Sequence, residues 1–298
     1  MEKVRPHRSV SALKTYQRCP AQFGFKYVDG IPDRSGVAAV RGQGPHAAAA
    51  ANYTFKKQSR RDLPLDAVLE VAADTVRAGF AGGLYLTPDE RDVGVKVLRD
   101  RTVDTAVAMS RFYHLRVAPH VRPLYVEHTF KVTPPESVLP HDVVGRPDLI
   151  TDAHHIVDFK TKEAEPRPGE EHHEQGLTMY ALLYHAETAI LAPKVALSFL
   201  VRRPSGVVSH HYRESTRTMD DLGGIVRAMQ RADAGIKAGA FPPTNPDNWW
   251  CSEKWCSFWE TCPFVAGRRQ RARSAVTVEG PTERRINRPT GGTHDEQR

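Results

Sequence analysis

Long apolar runs are missing from this 298-residue chain, whose hydrophobic stretches fall far short of the ~20 residues that a membrane helix needs. Its first residues, Met1 to Arg8, hold no apolar segment of a secretory leader, so the expected location is the cytoplasm, with no membrane partner. Cysteine is scarce: the four present are too few and too unevenly placed for a disulfide-framed secreted domain. No segment repeats. A strong excess of one charge is also lacking, because residues 267–298 carry eight Arg against four acids and so supply more than half of the net +7. A weakly basic body permits neutralisation of a phosphate backbone without demanding it. With 40% hydrophobic and 26% charged residues, the composition is that of a globular protein and excludes disorder throughout.

What is present divides into blocks. Residues 9–27 read as a helix capped by Ser9 and broken at Cys19-Pro20, followed by a Gly-rich loop over 30–44. The alanine run Ala47 to Ala51 opens a second helix, and helical periods recur at about 63–80 and 88–116. The middle changes character, with short β-branched segments at 124–132, 142–151 and 155–162. A helix over about 170–186, a hairpin of 195–203 with 207–213, and a helix over about 220–237 complete the pattern. This order predicts an α/β fold, a mixed sheet flanked by helices beneath an N-terminal helical block. One domain is expected over 1–266, with a helical insertion at about 52–120, and a disordered basic tail over 267–298.

The most informative stretch runs from Gly145 through Pro147-Asp148 to Asp158-Phe159-Lys160. If a three-residue loop, Asp152-Ala153-His154, joins two strands, then Leu149 faces Val157 and Asp148 faces Asp158. Lys160 shares the Asp158 face, while Val157 and Phe159 point into apolar surroundings. Two opposed carboxylates repel unless a cation sits between them, and a hard divalent ion, Mg²⁺ or Mn²⁺, suits oxygen ligands. Such an ion polarises a phosphate and acidifies water, and the neighbouring lysine can stabilise charge on that phosphate.

Pro147-Asp148 followed by Asp158-Phe159-Lys160 resembles the PD…D-x-K element of the restriction-endonuclease-like PD-(D/E)XK nuclease superfamily. In that family both acids and the carbonyl between the second acid and the lysine hold the metal. The resemblance therefore implies those roles for Asp148, Asp158 and the Phe159 carbonyl, with Lys160 catalytic. Further elements resemble its RecB-type branch, which includes CRISPR-associated and phage-encoded exonucleases. Gly42 to His46 is similar to a G-x-x-x-H motif whose histidine completes the metal site, and Val126-Glu127 to the strand before the GxxD element, in which the acid is structural or supports the metal ligands from behind. Gln175 to Tyr180 is similar to a Q-x-x-x-Y substrate-binding helix. Here the two residues stand one position further apart, about 140° around the helix, and Gly176 takes the strict place. The implied activity is DNA hydrolysis, exonucleolytic on single strands or ends, in replication, recombination or repair. A helicase, a recombinase or a CRISPR adaptation complex are the partners this implies.

Cys251, Cys256 and Cys262 fall within twelve residues, the last followed by Pro263, and Cys19 lies far upstream. Four thiolates suit zinc or an iron–sulfur cluster, but the C-x-x-C knuckles of zinc ribbons are absent. The layout resembles iron–sulfur nucleases of the same branch, where one N-terminal cysteine joins a C-terminal trio around a 4Fe-4S cluster. It implies a C-terminal staple, with the segment 249–264 tied to Cys19. Trp249, Trp250, Trp255 and Trp259 all lie in this segment, where packing is a commoner fate than stacking on bases. Two other readings remain open: a non-catalytic DNA-binding scaffold on a nuclease fold, and a zinc-stapled enzyme of other chemistry.

Overall fold

The computed structural model describes residues 6–271. The chain divides into two units, Met1–Phe258 and Trp259–Arg298. In the second, Pro263–Val265 forms a 3-10 turn, helical backbone continues through 266–271, and the remainder of the expected tail lies outside the described residues.

The first unit opens with β1 (His7–Ser9) and α1 (Val10–Arg18). Ser9 caps α1 by accepting from the Ala12 N–H at 3.1 Å. Cys19 interrupts the helix in extended backbone, and Pro20 restarts it as α2 (Pro20–Phe23), which widens into a π turn at Gly24–Val28.

The expected Gly-rich loop is a helix instead. It shortens to 30–36, and α3 (Val37–Ser59) runs straight through Gly42, Gly44 and Pro45. The glycines serve close approach rather than a turn. A Cβ at Gly44 would stand 2.9 Å from the Ala106 Cβ and the Ala72 carbonyl, and one at Gly42 would stand 2.9 Å from Thr161 Oγ1. Tertiary packing thus outweighs the low helix propensity of glycine and proline. Two more long helices, α4 (Leu65–Ala81) and α6 (Val95–Arg116), pack on α3, and the short α5 (Pro88–Val93) ends at Gly94, whose φ of 86° breaks the α5–α6 run.

Strands follow in two sheets rather than one. The predicted segment 124–132 splits into β2 (Pro123–Val126) and β3 (Phe130–Val132), and 142–151 splits into β4 (Asp142–Gly145) and β5 (Leu149–Thr151). The small sheet has order β1-β4-β3. The main sheet has order β2-β5-β6-β7-β8, with β6 (Ile156–Lys162), β7 (Val195–Arg202) and β8 (Val208–Ser215). Only β6 and β7 run parallel in it, joined by α7 (Glu170–His173) and α8 (Gln175–Thr188); α9 (Met219–Lys237) closes the unit. A Thr218–Asp221 capping box starts α9.

The main sheet buries both faces. Ile150, Ile156, Leu197 and Phe199 pack with residues of α1, α8 and α9. Leu149, Val157, Phe159 and Leu200 pack on the other face with Tyr53 of α3 and with Met109 and Tyr113 of α6. No described helix is long and apolar enough to cross a membrane.

Candidate active site

The β5–β6 hairpin has the register that a three-residue loop dictates. Leu149 pairs with Val157 and Ile150 with Ile156, while the Thr151 N–H donates to the His155 carbonyl at 3.0 Å. Asp148 therefore sits one step before β5, opposite Asp158. One of its carboxylate oxygens accepts the Phe159 N–H at 2.5 Å, and the other lies 3.5 Å from His46 Nδ1. The close approach of α3 to β6 at Gly42 carries His46 to this spot, and the His46 ring meets the Phe159 ring edge-on at 5.7 Å.

Asp158 is buried, and Lys160 Nζ is the ion-pair partner of its Oδ2 without a well-directed hydrogen bond to that atom. The charges compensate one another. Burial pushes the Asp148 carboxyl up, yet the hydrogen bond and charge of His46 hold it below the usual carboxylate range. Burial pushes Asp158 up; the Lys160 charge opposes this, the Asp148 charge adds to it, and the net direction is upward. Burial pulls the His46 imidazole down, but Asp148 and Asp158 raise it overall. The Lys160 ammonium is likewise drawn down by burial and held above its ordinary value by Asp158.

Tyr180 projects from α8 toward this group. Burial, then the charges of Asp158 and Asp148, push its phenol upward, so it stays protonated and its O–H is available to donate. Gln175 does not join it: it is exposed at the first residue of α8. The preceding residue comes nearer, since the Glu174 carboxylate caps α8 through the Gly176 N–H at 3.0 Å and accepts from Lys14. Glu127 is also closer than a purely structural role requires. Its N–H donates to the Asp148 carbonyl at 3.1 Å, it pairs with Arg146 Nε at 2.9 Å, and its φ of 47° marks a strained position. Glu174 carries no sequence signal of its own and is recognised by what folds against it, whereas Glu127 lies at the strand match read from the sequence.

The two carboxylates and the imidazole suit a hard divalent ion in their donor chemistry. Among the described residues no three His, Cys, Asp or Glu side chains converge tightly enough to hold an ion unaided. At the carboxylate pair Lys160 supplies compensating charge to Asp158, and His46 supplies it to Asp148 when its imidazole is protonated.

The cysteines differ. Cys19, Cys251 and Cys256 lie in the first unit and Cys262 in the second, all half-buried, and no described trio is gathered as the expected staple requires. Cys19 lies between α1 and α2 with its N–H on the Thr15 carbonyl, and the Cys251 and Cys256 N–H groups close turns onto Asn248 and Ser252. The tryptophans divide: Trp259 is buried, whereas Trp249 and Trp255 are 65% and 54% exposed and touch edge-on at 5.2 Å, against the expected packing.

Residues 7–263 match the family described as the PD-(D/E)XK nuclease superfamily. The chain belongs to that superfamily. A crystal structure of a protein from Eubacterium rectale, provisionally described as an exonuclease, superposes with a TM-score of 0.50 at 12% identity, covering 82% of this chain and 86% of that one. At that identity the likeness shows a shared fold. The crystal structure of SSO0001 covers 85% of this chain and 94% of its own at 16% identity, but its TM-score of 0.32 is too low to build on. No curated protein sequence matches.

Proposed function

We propose that this PD-(D/E)XK protein is a DNA exonuclease acting on single strands or ends, with Mg²⁺ or Mn²⁺ held by Asp148, Asp158, His46 and the Phe159 carbonyl. The observation that carries the reading is the hairpin register, which sets Asp148 against Asp158 with Lys160 on the same strand face. A divalent ion bound there supplies Lewis acidity and lowers the pKa of water. The chain's own residues do the rest. Lys160 places a cation beside the carboxylates, where it neutralises charge building on the scissile phosphate. Tyr180, kept protonated, offers an O–H to the same phosphate. His46 and the Phe159 N–H hold Asp148 ionised and oriented.

On the cysteine layout we assign Cys19, Cys251, Cys256 and Cys262 to an iron–sulfur cluster whose binding gathers them. We place the work of the enzyme in the cytoplasm, in replication, recombination or repair.

The test incubates end-labelled single- and double-stranded DNA with Mn²⁺ and either wild type or Asp158→Ala. Wild type should shorten the labelled strand from its ends, single strands fastest. The variant should be slower by about a thousandfold or more, since the ion and its ligands account for several kcal/mol of transition-state stabilisation. Cleavage that survives in Asp158→Ala would falsify the assignment, and a wild type that binds DNA without cutting it would make the protein a scaffold.

A further inference from the structure

We propose that Lys162, with Arg167 beside it, binds the backbone phosphate next to the scissile one in single-stranded DNA, and that Glu170 occupies this subsite until a strand arrives. The inference rests on the nuclease reading above and adds a binding site to it.

Asp158, Lys160 and Lys162 are alternate residues of β6 and so project from one sheet face. Two residues advance the strand by about 6.6 Å, a step comparable to that between successive phosphates of an extended nucleic-acid strand. A protein strand bearing ammonium groups at that repeat is therefore a ruler for such a backbone. Lys160 stands at the carboxylates, and Lys162 stands one step further on.

A cavity of about 490 Å³ opens at that step, lined by Lys160, Lys162, Arg167, Glu170, Glu174 and Phe199 among others. The volume lies within the range of pockets that enclose one small organic ligand. It has room for a nucleotide unit. The Lys162 ammonium lies 4.9 Å from the centroid of the Phe199 ring, which fixes the lysine stem against the cavity wall.

The occupant of the lysine is an acid from the chain itself. Glu170 Oε2 pairs with Lys162 Nζ, and Glu170 Oε1 accepts the Arg167 N–H at 2.7 Å. One ammonium and one backbone N–H on the two oxygens of an anion are the donors that a phosphate takes. Glu170 sits at the start of α7, a helix of four residues, directly after Gly169 in left-handed backbone with φ 86°. Little structure has to be undone for its carboxylate to give way.

The test measures binding of a labelled oligo-dT strand at several salt concentrations, in EDTA, and steady-state cleavage in Mn²⁺. It compares full-length wild type with Lys162→Gln, Lys162→Arg, Glu170→Gln and the Lys162→Gln/Glu170→Gln double variant. Lys162→Gln should raise Kd and KM several-fold with kcat nearly unchanged, and should shrink the salt slope by about 0.7, the share of one phosphate on a single strand. Lys162→Arg should keep the slope. Glu170→Gln should tighten binding and lower KM, and this gain should vanish in the double variant. A salt slope unchanged in Lys162→Gln, or binding no tighter in Glu170→Gln, overturns the subsite. Melting curves of each variant separate these effects from loss of fold. Slopes and couplings as expected, in a protein that does not cleave, would keep the subsite and sink the nuclease reading; normal cleavage with an unmoved slope would do the reverse.

Discussion

The carboxylate centre and the cysteine set are both candidate metal sites, and in the first the side chains pair with one another. Asp148, Asp158 and Lys160 lie within thirteen consecutive residues, and a single hairpin register places them. Their charges are then balanced internally, by His46 on Asp148 and by Lys160 on Asp158. The cysteines have no hairpin to bring them together, and no three of them are gathered among the described residues. One site follows from β-sheet geometry; the other is assigned on its cysteine spacing alone.

Removing each metal should widen this contrast. EDTA should stop cleavage while lowering Tm only modestly, because Lys160 pairs with Asp158 with or without the ion. Cys256→Ser should lose the iron measured in freshly purified protein and destabilise the fold by about 4 kcal/mol or more, the range that marks loss of a structural metal. Purified protein that contains zinc or no iron, or a Cys256→Ser variant that melts like wild type, would break the contrast.

A second experiment asks how far the assembled site depends on its supports. Arg217 is buried beneath the α7–α8 joint, donating to Thr178 Oγ1 at 2.7 Å, Ser215 Oγ at 2.6 Å and the Glu171 carbonyl at 2.9 Å. It thereby fixes the end of α8 that carries Tyr180 and Glu174. Arg217→Met leaves those acceptors unsatisfied and should cost about 2–4 kcal/mol in urea unfolding. Its kcat should fall at temperatures where the variant is still folded, since the joint positions Tyr180. Full kcat in folded Arg217→Met would show that the hairpin suffices.

The parts of the fold legible in sequence are those governed by short-range rules. Period-two alternation and a three-residue loop determine the β5–β6 register. Ser9 reads as a cap because the first turn of α1 needs one, and the helices near 63–80 and 220–237 follow from their apolar stripes. Illegible parts depend on partners distant in the chain. Gly42, Gly44 and Pro45 spell a loop locally, and only the crowding of α3 against β6, α4 and α6 makes them helical. The strained backbone at Glu127 parts β2 from β3, and the turn at 146–148 parts β4 from β5, so each β-branched segment feeds two sheets. At the active site the same division holds. The carboxylates and Lys160 follow from strand alternation, His46 and Tyr180 needed a motif, and Gln175 falls on the exposed first residue of α8, five positions before Tyr180.

The smallest effect tests the internal balance itself. His46 has a folded-state pKa raised above 6.5, so its pairing with Asp148 stabilises the metal-free protein fully below the unfolded value and fades as pH rises through the raised one. Asp148 has the opposite sign: its contribution holds above the usual carboxylate range and is lost as pH falls through its depressed pKa. In EDTA, the Tm difference between wild type and His46→Ala should therefore be widest in mild acid, between those two limits, and should close as pH rises through the raised His46 pKa. Added Mn²⁺ should reverse the trend, because an imidazole must shed its proton to ligate, so the ion stabilises wild type more as pH rises. A Tm difference flat from pH 5 to 8 would mean that His46 does not neutralise Asp148 in the folded chain. The carboxylate centre would then owe its assembly to the hairpin and Lys160 alone.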